Sequence, residues 1–242
     1  MCNVANILLT GGTGLLGTHL LKLDSSLIAP GRNELDLLKQ ESVEESFRKI
    51  KPDIVIHAGA ITETHYVNAH PSESILTNIA GTTFISSACI EYSSRLIYIS
   101  TDYLYPGTHG LHKEDEPLYA ANFYTWTKLG GECAVRLVPN SLIIRTSFGP
   151  RPCQYAYGAT DKISSKIYVD EIAPLILELA KSNETGIINV GGEPTSIYEY
   201  AKRTNPEVKP TTLAEINEPI PADTSLDLTR LKNLNLQKDN HE

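Results

Sequence analysis

No block of Lys or Arg occurs anywhere in the 242 residues, and acids outnumber bases by 29 to 21. A nucleic-acid partner needs concentrated positive charge on one face, so this balance speaks against it and for a small-molecule partner. No run approaches the roughly 18 apolar residues that cross a bilayer, and no charged stretch, apolar core and cleavage site follow one another at the N-terminus. Neither membrane insertion nor export is therefore expected, and the cytosol is the expected compartment. The four cysteines, Cys2, Cys89, Cys133 and Cys153, have no paired spacing, which speaks against a disulfide framework or a zinc site and reads as reduced, small apolar residues. His57, His65, His70, His109 and His112 likewise lack ligand spacing, so no metal is expected. No internal repeat or low-complexity tract is present.

With 41% hydrophobic residues the chain is long enough to bury one substantial core. Short aliphatic runs, Asn6 to Thr10, Leu27 to Ala29, Asp53 to His57, Arg95 to Ser100 and Ser141 to Thr146, alternate with amphipathic stretches at Leu15 to Leu23, Glu41 to Ile50, Ser72 to Tyr92 and Asn122 to Val138. A further helix is expected at Asp170 to Lys181 and a strand at Gly186 to Val190. This alternation predicts an α/β fold, a Rossmann-type doubly wound parallel sheet with helices on both faces. The expected division is an NAD(P)-binding domain over residues 1–150 and a small substrate-binding portion over 151–242, interleaved with the Rossmann core.

The first run leads into glycines at 11, 14 and 17 and then a helix. Gly11 permits the tight turn, Gly14 clears space for a pyrophosphate, and Gly17 lets the helix approach the strand. Amides at the helix start direct partial positive charge at the phosphates, so Gly11, Thr13, Gly14, Leu15 and Leu16 form the expected cradle. About 20 residues further on, an acid would select NAD and an Arg would admit the 2′-phosphate of NADP. Arg32 stands there, with Asp36 nearby, so NADP(H) is the preferred coenzyme and NAD(H) the second choice.

Tyr124 and Lys128 are spaced to lie on one helix face, one turn apart. A phenol with an ordinary pKa of about 10 needs a neighbouring cation to exchange protons near neutrality, and Lys128 is expected to supply it. Thr101 directly follows the fourth run, at the sheet edge where ligands of doubly wound folds bind. The catalytic set is therefore Thr101, Tyr124 and Lys128, with Tyr124 as proton donor in the reducing direction.

These segments, with Glu34 to Leu37, Lys51 to Ala60, Ser100 to Tyr103, Lys128 to Glu132 and Ile144 to Phe148, resemble the extended short-chain dehydrogenases, and among them the dTDP-4-dehydrorhamnose reductases. The resemblance covers most of residues 6 to 150. It implies reduction of a nucleotide-linked 4-keto-6-deoxy sugar, with Asp36 and Leu37 near the adenine and Ala58, Gly59 and Ala60, together with Tyr124 and Lys128, bordering the coenzyme. Thr101, Asp102, Tyr103, Phe148 and Arg151 are the expected substrate contacts. Phe148 stands where these reductases commonly place a Trp, and the segment from Phe148 to Tyr168 is short for the family. The alternatives are an epimerase or dehydratase with bound NAD, or a non-catalytic dinucleotide-binding regulatory subunit. A homodimer is left open.

Overall fold

The computed structural model describes residues 5–216 and 219–234; Cys2 lies outside the described residues. Five parallel strands are hydrogen-bonded in the order Ile7–Thr10, Ile54–His57, Arg95–Ile99, Leu142–Thr146 and Gly186–Val190. The run at Leu27 to Ala29, expected as a strand, makes only one isolated bridge, Ile28 to Leu8, with Leu9 N donating to Ile28 O at 2.8 Å and Ile28 N to Ile7 O at 2.9 Å. Pro30 follows, and without an N–H it cannot extend the ladder.

Ile28 thus flanks the first strand on the side opposite Ile54–His57. The chain moves outward from the first strand, then returns to its other side, so the strand order reverses between Thr10 and His57. In open α/β sheets that reversal opens a crevice at the carboxyl ends of the strands.

Both faces of the sheet are covered, which explains why its strands read as continuous apolar runs. On one face Leu9, Ile56, Ile97 and Ile144 pack with Leu16 and Leu20 of helix Leu15–Leu23 and with Ile172, Ile176 and Leu179 of helix Val169–Lys181. On the other, Leu8, Val55, Leu96 and Ile143 meet Val43 and Phe47 of helix Gln40–Ile50 and Ile85 and Cys89 of helix Thr82–Tyr92. Each such side chain, fully buried, contributes about 1.5–3 kcal/mol.

The helix expected over Ser72 to Tyr92 is continuous in direction but not in winding. Pro71–Ile75 and Thr82–Tyr92 are α-helical, and Leu76–Gly81 between them is a wider π turn, a feature that marks functional sites more often than chance.

Beyond Thr146 the chain alternates between the central sheet and three small ones. Phe148–Gly149 pairs with Ile167–Tyr168, Tyr157–Ala159 with Lys209–Thr211, and Ile163–Ser164 with both Thr195–Ser196 and Asp223–Thr224. Helix Val169–Lys181 and strand Gly186–Val190 return to the core between them. Among the described residues no helix is long and apolar enough to cross a membrane.

Candidate active site

The turn after Thr10 is built for close backbone approach. Gly11 has φ +74°, and a Cβ there would come within 2.7 Å of Gly59 N; a Cβ on Gly17 would lie 2.2 Å from Gly11 O. Gly14 is open apart from its contact with Gly11 O at 3.2 Å, which leaves that face of the helix start free for a ligand. Thr13, Gly14 and Leu15 are exposed, whereas Leu16 is buried in the core and offers the cleft only its backbone.

A cleft of about 320 Å³ opens at the strand-order reversal, lined by Gly11, Thr13, Arg32, Leu37, Gly59 and Ala60 among others. Asp36 also lines it, and Ala58 directly precedes Gly59 at the end of strand Ile54–His57. Arg32 stands at the rim with its side chain 72% exposed and Nε 3.8 Å from Asp36 Oδ1. That pairing is loose enough to leave the guanidinium available to a phosphate. Asp36 Oδ1 accepts from Leu38 N at 3.1 Å and holds the Leu37 segment in place.

The catalytic candidates come together at the carboxyl end of strand Arg95–Ile99. Asn122 caps the helix Phe123–Val135: Thr125 N donates to Asn122 Oδ1 at 2.9 Å and Asn122 N to Thr125 Oγ1 at 3.0 Å. This reciprocal cap fixes the helix start and with it the direction of Tyr124. The Tyr124 phenol stands next to Thr101 and Asp102. Burial raises its pKa to about 12, Thr101 opposes the rise, and the Asp102 charge adds to it. Lys128 Nζ donates to Ile99 O at 2.7 Å and lies 4.1 Å from the centre of the Tyr98 ring. Burial here outweighs the acidification expected from the four-residue spacing. Tyr124 is fully protonated at neutral pH, the form a proton donor requires.

Two other candidates have a different place from the one expected. Asp102 is 1% exposed, and its Oδ2 accepts from Ser164 Oγ at 2.9 Å and Thr224 Oγ1 at 2.7 Å. It fastens a small sheet to the active-site strand, so protein and not open cleft surrounds it. Arg151 is paired with Asp170, at 2.9 Å, and with Glu171, and stacks over the Tyr168 ring; two carboxylates already compensate its charge. Phe148 is partly buried against the core, its carbonyl accepting from Lys166 Nζ at 2.8 Å. Tyr103 is partly buried, with Lys162 Nζ 4.9 Å from its ring centre.

A buried polar chain links the coenzyme cleft to the Tyr124 helix, and no sequence signal singled it out. Gly59 N donates to Thr10 Oγ1 at 3.1 Å, and Thr10 Oγ1 and His57 Nδ1 are 2.7 Å apart. His57 Nε2 is 3.0 Å from Thr82 Oγ1, which itself donates to Asn78 O at 2.8 Å. Since the Thr82 hydroxyl hydrogen is committed to Asn78, His57 carries its hydrogen on Nε2 and accepts from Thr10. Asn78, in the π turn, spans Ile61 and Thr127, and Thr127 Oγ1 donates to Tyr124 O at 2.8 Å. Burial and the Lys128 charge push the His57 pKa down to about 3, so the chain stays neutral throughout the working pH range. The available signal was a polar residue closing each of two apolar runs, Thr10 and His57.

A dinucleotide cradle at a strand-order reversal, with a Thr next to a Tyr and a Lys one helical turn on, defines a nicotinamide-dependent oxidoreductase of the short-chain dehydrogenase type. Residues 5–150 match the family described as the RmlD substrate binding domain, and the chain belongs to that family. It is 29% identical over 230 residues to the dTDP-4-dehydrorhamnose reductase of Aggregatibacter actinomycetemcomitans, covering 82% of this chain and 77% of that protein. It is 32% identical over 139 residues to methionine adenosyltransferase 2 subunit beta of Xenopus laevis, covering 53% of this chain and 42% of that one. A crystal structure of dTDP-4-dehydrorhamnose reductase from Bacillus anthracis in complex with NADP superposes with a TM-score of 0.85 at 22% identity, over 94% of this chain and 92% of that one.

Proposed function

We propose that the protein reduces the 4-keto group of a dTDP-linked 4-keto-6-deoxy sugar with NADPH. The observation that carries this reading is the Tyr124 hydroxyl, protonated and beside Thr101 at the carboxyl end of the sheet, on the same sheet as a glycine turn whose Cβ positions are filled by backbone. The cleft fits the coenzyme: Gly11, Gly14 and the helix start take the pyrophosphate, Arg32 the 2′-phosphate, and Leu37 and Ala60 flank the adenosine side. When bound, the coenzyme supplies a hydride to the carbonyl carbon.

The chain's own residues do the rest. Thr101 holds the substrate oxygen beside Tyr124, which delivers its proton to that oxygen as the alcohol forms. Lys128, one helical turn from Tyr124 and held by Ile99 O and the Tyr98 ring, stabilises the phenolate left behind when it carries its proton. Lys162 and Lys166, buried in the segment that the reading assigns to the sugar nucleotide, are held by Thr224 Oγ1 and Phe148 O and add positive charge beneath it. Residues 1–150 serve as the coenzyme domain and 151–242 as the substrate portion.

The reading includes a cytosolic homodimer. Phe123 and Trp126, 55% and 59% exposed on one helix, supply apolar surface for a second copy, and sedimentation velocity tests it. Among the described residues, the free thiols Cys89, Cys133 and Cys153 fit a reducing compartment.

Consumption of NADPH with a dTDP-4-keto-6-deoxy sugar is the direct test, and no turnover across dTDP- and UDP-linked substrates overturns the reading. The similarity to a methionine adenosyltransferase subunit favours one alternative, a dinucleotide-binding regulatory subunit. NADPH affinity without any oxidation is the result that this alternative predicts.

A further inference from the structure

Outside the coenzyme cleft, one ring nitrogen each of His109 and His112 and a Glu116 carboxylate oxygen lie within 4.8 Å of one another. The other nitrogen of each ring is already committed. His112 Nε2 is 3.2 Å from the carbonyl oxygen of Asp223, and His109 Nδ1 is 3.0 Å from that of Gly110. A carbonyl only accepts, so these nitrogens carry the hydrogens. In the neutral rings, His112 Nδ1 and His109 Nε2 are then left with lone pairs.

Both lone-pair atoms face the same acceptor. Glu116 Oε2 lies 2.6 Å from His112 Nδ1 and 3.6 Å from His109 Nε2. Atoms with lone pairs this close repel one another unless a proton or a metal ion lies between them.

We propose that His109 Nε2, His112 Nδ1 and Glu116 Oε2 form a binding site for a divalent transition-metal ion of the zinc class, with a fourth position open to solvent. Two imidazoles and one carboxylate are a zinc donor set, and divalent copper, nickel and cobalt share it. The supporting contacts have the form that metal sites use to orient ligands. Backbone carbonyls fix both ring tautomers, and Lys113 N donates to Glu116 Oε1 at 3.0 Å. The Tyr105 ring lies parallel to His112 with centroids 4.8 Å apart and sets the plane of the buried imidazole. Between the two histidines Leu111 takes φ +57°, a left-handed conformation costly for Leu, and its N–H is held by Ser225 Oγ at 2.9 Å.

Bonds of about 2.0–2.2 Å at tetrahedral angles place ligand atoms about 3.4 Å apart. The ion therefore asks Glu116 to retreat from His112 by under about 1 Å and the exposed His109 to close in by up to about 1.4 Å, movements that partly exposed side chains can supply. His109, 58% exposed, gives access from solvent. The ion would clasp the 109–116 loop to the 223–227 segment, which already meet through His112 N to Ser225 O and Asp227 N to His112 O, both 2.9 Å.

The test is calorimetric titration of the chelator-stripped, full-length chain with Zn²⁺, and of the His109→Ala and Glu116→Gln variants, with the visible spectrum of the Co²⁺ form as a second readout. The expected result is saturable one-to-one binding, an intense tetrahedral Co²⁺ spectrum, and at least about a tenfold loss of affinity in each variant, since even outer-shell changes cost 10–100-fold. His109 is exposed, so its variant keeps the fold. Absence of saturable binding overturns the site and leaves a proton as the bridging cation; wild-type affinity in either variant also overturns it.

Discussion

Lys128 Nζ donates to the carbonyl oxygen of Ile99 at 2.7 Å, the residue two before Thr101, so the strand that leads to Thr101 also holds the lysine. Burial lowers the Lys128 pKa to about 7, against the opposing charge of Glu132. The unfolded chain keeps this proton up to its ordinary 10.5, whereas the folded chain releases it near 7. The folded state therefore binds fewer protons across that window, and raising the pH favours folding. In urea titrations without coenzyme, the stability of the wild type relative to Lys128→Met should rise by about 4 kcal/mol between pH 7 and pH 10. A flat difference over that range means that the lysine is charged and solvated.

Tyr124→Phe removes the hydroxyl beside Thr101 and nothing that lines the pyrophosphate turn. Turnover should fall by roughly 10²–10⁴-fold, the usual contribution of a positioned proton donor, while NADPH affinity by fluorescence titration changes little. Full activity in this variant removes Tyr124 from the mechanism.

The sequence made legible what local patterns encode. The apolar runs, the glycine spacing after Thr10 and the four-residue interval from Tyr124 to Lys128 each express one strand, one turn or one helix face. What depended on distant contacts was not legible. Asp102 is held by Ser164 and Thr224, which lie 62 and 122 residues away, so its use as an internal anchor has no local sign. The π turn at Leu76–Gly81 follows from packing: a Cβ on Gly81 would lie 2.9 Å from Leu37 O, and Asn78 bridges Ile61 and Thr127. The spacing of His109 and His112 suggested no ligand set, because their convergence on Glu116 depends on the left-handed turn at Leu111.

Arg32 is the only residue proposed to separate the two coenzymes. Its guanidinium is exposed, and its contact with Asp36, at 3.8 Å, is long. Arg32→Ser should raise KM for NADPH by about 10–100-fold, the loss of one charge-assisted contact of about 1.5–3 kcal/mol, and leave KM for NADH nearly unchanged. Steady-state kinetics with both coenzymes measure the ratio; equal losses with the two would show that Arg32 does not read the 2′-phosphate.

Glu132 and Arg145 form a fully buried pair that ties three parts of the site together. Glu132 Oε1 accepts from Arg145 Nη2 at 2.6 Å and Arg136 Nη2 at 2.8 Å, and Oε2 accepts from Ser100 Oγ at 2.9 Å. Ser100 adjoins Thr101, and Lys128 is one helical turn before Glu132. Arg145 Nη1 also donates to the Tyr105 hydroxyl at 2.9 Å. Removing one charge strands the other without water to solvate it, so Glu132→Gln should cost about 3–5 kcal/mol of folding stability. The Glu132→Met, Arg145→Met double variant should regain more than half of that loss, since apolar groups of similar volume often replace a buried pair at little cost. Its kcat should nevertheless stay low, because Ser100 has lost the acceptor that positions Thr101. Recovery of kcat together with stability would show that the pair serves folding alone.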